Sequence, residues 1–227
     1  MKFKSQLVTQ ASGSLGGITF AHNKGGMYMR SRAIPTNPNS PEQAAVRGFL
    51  SELSTSWNGT LTQAQRDTWI NYALNVPVID RLGESIYISG LAHYLRSNVP
   101  RIQAALSIIT DAPLGFTLPT FANPTFTIDP ATDEVDVAFA GSQPWKSEVG
   151  GAMLVSVSRP QSPTINYFKG PYRFAGAILG AVVPPTTPQT IALPFVVSTG
   201  QKLFFKVRTC RADGGLSNTF LNGGVAP

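Results

Sequence analysis

At 227 residues the chain is long enough for one large domain or two small ones, and its 42% apolar content is that of an ordinary globular protein. Charged residues make up only 13%, about half the usual share, which suits a surface that other subunits cover. The single cysteine, Cys210, excludes an intrachain disulfide and a multi-cysteine metal site, and no apolar run approaches the roughly 20 residues of a membrane span or resembles a secretory signal.

Synthesis in a cytoplasm is therefore expected, with no membrane contact. Gly and Pro, 21 and 18 residues, favour turns and short strands over long helices. The net charge of +6 is uneven: residues 1–107 hold ten Lys/Arg against five acids, and residues 108–227 hold eight against seven. Residues 1–41 carry Lys2, Lys4, Lys24, Arg30 and Arg32 without one acid. Such a segment fits an acidic protein surface. Packaged nucleic acid is the weaker reading, because five cations over forty residues are sparse.

Residues 17–22 and 27–33 read as two short strands around "NKGG", whose Asn23, Lys24, Gly25 and Gly26 supply the positive-φ positions of a tight hairpin. Period-two alternation puts Ile18 and Phe20 on one face and Tyr28, Arg30 and Arg32 on the other. A helix follows. Ser40 caps it, Pro41 takes the first helical position, and Gln43 completes a capping box. Val46, Phe49, Leu50, Leu53 and Trp57 form its apolar stripe, and Asn58-Gly59 ends it. The next helix repeats the device with Thr62 and Gln65, burying Trp69 and Ala73. "PVIDRLGESIYIS" reads as a small hairpin turning at Leu82-Gly83. Ser89 then caps a third helix, which Pro100 is expected to kink or break.

After "IITDAPLGFTLP" the period changes from helical to alternating. "PTFTIDP", "EVDVAFAG", "GAMLVSVSRP", "PYRFAGAIL", "QTIALPF" and "QKLFFKVRTCRADGGLSNTF" are short strands between Pro, Gly and Asp turns, the pattern of a β-sandwich. "KLFFKVRTCRADGGLSN" resembles the last two strands of a fibronectin type III or related immunoglobulin-like domain. Either Leu203, Phe205, Val207 and Thr209 or their complement faces the core. The expected fold class is an α+β N-terminal unit, a β-hairpin arm plus about three helices, followed by an all-β immunoglobulin-like sandwich. The expected divisions are residues 1–34, 35–107 and 113–227, with a boundary near 108–119.

Chemistry-bearing residues are scattered. His22 and His93, the two histidines, have no second histidine or acid at metal-ligand spacing. "DPATDEVD" gathers Asp129, Asp133, Glu134 and Asp136 but lacks the central Gly and terminal Glu of a calcium loop. "GSLGG" is not followed by Lys-Ser/Thr and is no phosphate loop. A non-enzyme without catalytic residues, metal or cofactor is the expectation.

Gly16-Gly17, Gly25-Gly26 with Tyr28 and Arg30, Asn37-Pro38, Gln43 with Arg47, Trp57 and the block "LTQAQRDTWINYA" together resemble a family of proteins encoded among the structural genes of tailed bacteriophages and prophages. The resemblance spans residues 13–73 and continues more weakly through "NVPRIQ". It implies a virion structural protein, located in the virion, present in multiple copies and bound to other capsid, neck or tail subunits. On that placement Lys24, Tyr28, Arg30 and Arg32 are the expected docking residues. A carbohydrate-binding module is the alternative, and it would put Trp145, Tyr167 and Tyr172 on an exposed face of the sandwich.

Overall fold

The computed structural model describes residues 12–23, 26–34, 36–79, 84–119 and 122–227. Two compact units divide the chain, Met1–Ala44 and Ala45–Pro227.

The first unit holds one antiparallel sheet in the order β1-β2-β3, with β1 Gly13–Leu15, β2 Ile18–Asn23 and β3 Gly26–Ser31. The hairpin between β2 and β3 forms as the sequence suggests, with Asn23 opposite Gly26. β1 was not expected. It arises because Gly16, at φ +55°, sits first in a two-residue turn that pairs Leu15 with Ile18. Arg32 lies just past β3, its amide donating to the Gly17 carbonyl at 2.8 Å.

In the second unit three helices precede a sandwich. α1 (Pro41–Thr55) starts in the first unit and ends in a π-helical turn, Ser56–Thr60. Its capping box is present: the Gln43 amide donates to Ser40 Oγ, and the Ser40 amide donates to Gln43 Oε1. α2 (Gln63–Asn75) has the same box, built by Thr62 and Gln65. α3 (Gly90–Gln103) is capped by Ser89 and runs through Pro100 instead of breaking there. Of the hairpin before it, only β4 (Val78–Ile79) and β5 (Ser85–Ile86) pair, and the turn at Leu82-Gly83 falls outside the described residues. Leu53, Trp69, Tyr72, Val76 and Tyr94 form the helical core. Trp69 and Tyr94 meet edge to face at 5.6 Å, an arrangement their ring quadrupoles favour. Val46 and Leu50 of the expected α1 stripe stay exposed.

Seven strands follow: β6 Thr125–Asp129, β7 Glu134–Ala138, β8 Ala152–Ser158, β9 Tyr172–Leu179, β10 Gln189–Ala192, β11 Lys202–Cys210 and β12 Phe220–Val225. They form a β10-β7-β6 sheet and a β12-β11-β8-β9 sheet. This three-plus-four arrangement is an immunoglobulin-like sandwich. Ile128, Val135, Val137 and Ile191 of one sheet meet Met153, Val155, Val157, Leu203, Phe205 and Val207 of the other. Phe126 stacks on Phe205 with centroids 4.2 Å apart. The frame with Leu203, Phe205 and Val207 inward is the correct one, yet Phe204 and Cys210 on the opposite face are buried too. That face is covered around Leu154, Cys210 and Leu216 by Ala104 and Leu106, just past α3.

The connector is therefore no free linker, and the expected boundary at 108–119 does not separate compact units. Trp69 Nε1 donates to the Thr110 carbonyl at 2.8 Å. Asn98, fully buried, accepts from the Ile109 amide and donates to the Ile109 carbonyl. Arg101, also buried, donates to the carbonyls of Ser107, Gly150 and Arg211 and to Cys210 Sγ, at 2.8–3.3 Å. A guanidinium can do this because its donors fan out in one plane.

Candidate docking surface and cationic cleft

The register of the N-terminal sheet decides which side chains share a face. Thr19 opposes Arg30, and Ala21 opposes Tyr28. Ser14 opposes Thr19, so Ser14, Thr19, Ala21, Tyr28 and Arg30 make one face. The other face carries Leu15, Ile18, Phe20, His22, Met27 and Met29. Arg30 and Arg32 are exposed, and Tyr28 is half-buried. Lys24, the fourth expected docking residue, lies outside the described residues. Met27 and Met29 belong to the face opposite Tyr28, so the two methionines and the tyrosine cannot serve one flat contact together.

On that face Phe20, Met27 and Met29 are half-buried, whereas Leu15 and Ile18 are exposed. No residue from 12 to 44 whose burial is described is fully buried, and Leu15 and Ile18 are 77% and 45% exposed. Among the described residues β1 and β3 are its edge strands. The arrangement offers a face with Tyr28 and the exposed Arg30, a face with the exposed Leu15 and Ile18, and two strand edges, all features suited to strand addition or docking.

The expected glycan-facing trio does not assemble. Trp145 is 1% exposed and belongs to the sandwich core, packing on Phe139 at 5.3 Å. A Trp beside the third strand of such a sandwich fills the space between sheets, where its area contributes most. Tyr172 is half-buried, its hydroxyl has no hydrogen-bond partner among the described residues, and burial raises its pKa above the usual phenol value. Tyr167 alone is well exposed, at 60%. A sugar-stacking platform made of these three residues is absent.

The acidic turn is used internally. Asp129 Oδ1 accepts from the Ala131 amide, Asp133 Oδ1 from the Val197 amide at 2.7 Å, and Asp136 Oδ1 from Thr190 Oγ1 at 2.6 Å. Among the described residues no group of three or more His, Cys, Asp or Glu side chains could hold a metal ion, and no helix is long and apolar enough to cross a membrane. His93 is buried against Tyr72, ring centroids 5.1 Å apart. Burial, and then the charge of Arg96, hold its pKa below the ordinary histidine value.

One arrangement escaped sequence reasoning. Lys206 and Arg208 stand two residues apart on the outer face of β11, opposite Ser156 and Leu154 of β8. With Pro100 and Gln103 of α3 and Phe174 of β9 they line a cleft of about 130 Å³. Arg208 is lowered to about 10, first by burial and then by the charge of Arg96; Lys206 is lowered by burial and then by Arg208. Arg208 Nε donates to Thr219 Oγ1 at 2.7 Å. Among the described residues no carboxylate pairs with Lys206 or Arg208. The alternation "FKVR" suffices to put these cations on one face, but says nothing of a helix end closing over them.

Compared with protein-family models, curated proteins and solved structures, the chain matches none of them.

Proposed function

We propose that the chain is a non-enzymatic structural subunit of a bacteriophage virion, a head, neck or tail accessory that docks through its N-terminal sheet and displays the sandwich. The observation that carries this reading is the N-terminal sheet itself: a compact unit with no described fully buried residue, with Tyr28 and the exposed Arg30 on one face and the exposed side chains of Leu15 and Ile18 on the other. Small sheets are marginal until their apolar face is covered. An acidic groove on a neighbouring virion subunit supplies both the cover and the opposite charge. The sequence resemblance across residues 13–73 and the low charge of the whole chain point the same way.

The double variant Arg30→Glu/Arg32→Glu tests this. Like charges facing each other at an interface cost on the order of several kcal/mol, so incorporation into particles should fall sharply. The melting temperature of the isolated protein should hardly move, since exposed charge changes stay within about 0.5 kcal/mol. Wild-type occupancy of the particle by the double variant would sink the docking reading.

A further inference from the structure

We propose that the cleft between the end of α3 and the outer face of the β12-β11-β8-β9 sheet is a binding site for a tetrahedral oxyanion of phosphate size. The inference is independent of the docking reading, because it concerns the second compact unit alone.

The argument begins with spacing. Residues two apart on a strand project from the same face about 7 Å apart, so Lys206 and Arg208 can both reach one small anion between them. Ser156, directly across from Lys206, brings a hydroxyl, and Gln103 brings an amide; both are donors. Leu154 and Phe174 make the rest of the wall apolar, which lowers the local dielectric and strengthens any charge–charge contact made there. The volume, about 130 Å³, equals roughly four waters. That is room for an oxyanion of phosphate size.

Among the described residues no acidic side chain neutralises the cleft. Partly buried cations are normally paired, yet no carboxylate among the described residues pairs with these two, and Arg96 adds repulsion from the side of α3. The negative end of the α3 dipole is the obvious internal substitute. Three of its last carbonyls are engaged elsewhere: Pro100 and Arg101 accept from the Ala104 amide, Arg101 also from the Leu106 amide, and Ile102 from the Ala105 amide. A bound oxyanion satisfies Lys206 and Arg208 with charge-assisted hydrogen bonds, the strongest class the site can form.

Titration calorimetry of the full chain tests the site, with inorganic phosphate and methyl phosphate run side by side at ionic strength fixed by sodium chloride. The first ligand reports a free anion and the second an esterified one. One saturable site is expected for at least one of them. Lys206→Met should weaken that binding about tenfold or more. It should leave the melting temperature without phosphate equal to or above the wild-type value, because it removes an unpaired cation while keeping the apolar stem. Ser156→Asp, which sets a carboxylate across from Lys206, should abolish binding by occupying the cations internally. Absence of saturable binding to either ligand would overturn the proposal, as would unchanged binding in both variants.

Discussion

Arg101 shows how much one buried side chain can hold. It enters the interior with no carboxylate partner among the described residues and donates to three carbonyls and a sulfur, one of them 110 residues away. Arg101→Met would leave the carbonyls of Ser107, Gly150 and Arg211 without these donors, at a cost on the order of 3 kcal/mol. Lysine should rescue little, since one ammonium cannot fan out to the same acceptors. Urea denaturation measures the loss, and a change under 1 kcal/mol would contradict the assignment. His93 provides a pH readout. Its folded pKa lies below the unfolded value of about 6.5, so the unfolded chain binds more protons just below that pH. The neutral ring's contribution is complete above about pH 6.5 and is lost as pH falls toward the folded value. Melting temperature should therefore drop between pH 7 and pH 5, and His93→Phe should flatten that part of the profile; an unchanged slope in the variant would assign the effect elsewhere. Neither role was legible in the sequence. A cap such as Ser89 or Thr62 acts on the residues beside it and can be read locally, whereas Arg101 and Trp145 take their meaning from strands that are remote along the chain.

Among the elements, the helices were read most faithfully, because period and caps are both short-range signals. Thr62 accepts from the Gln65 amide at 3.3 Å, and Thr62→Ala should cost about 1 kcal/mol in thermal or denaturant unfolding. Loss of nothing measurable would mean that α2 is held by packing alone. Gly90 makes a different demand. A Cβ there would come within 2.9 Å of the Ile70 backbone nitrogen and 3.1 Å of its Cα, so α3 starts hard against α2. Gly90→Ala should destabilise by about 1–3 kcal/mol through overpacking, despite the better helix propensity of alanine. A stabilised variant would show that the two helices can separate at little cost. The expectations that failed did so for tertiary reasons. Val46 and Leu50 have helical phase but no described core to enter, α3 continues through Pro100, and β1 exists because a partner strand is adjacent, not because three residues announce it.

For the whole molecule, the change of period near residue 108 correctly marks where helices give way to a sandwich, but it does not mark a separable piece. The connector is pinned by Trp69, Asn98 and Arg101, and Ala104 and Leu106 cover Leu154, Cys210 and Leu216. Residues 113–227 alone should keep a β-type circular dichroism spectrum yet melt well below residues 40–227. Equal melting temperatures would restore the simpler division at the change of period. The same reasoning explains why the candidate site was only half legible: faces of a strand follow from alternation, whereas the closing of the cationic cleft and the burial of Trp145 depend on how layers stack. The most direct test of the docking reading is a cryo-electron microscopy map of the assembled particle at a resolution that traces this subunit. The expected map seats the β1-β2-β3 sheet against an acidic surface of another virion protein, with Arg30 and Arg32 at the contact and the sandwich projecting outward. A particle that lacks the subunit, or one that holds it by the sandwich with the N-terminal sheet in solvent, would contradict the account.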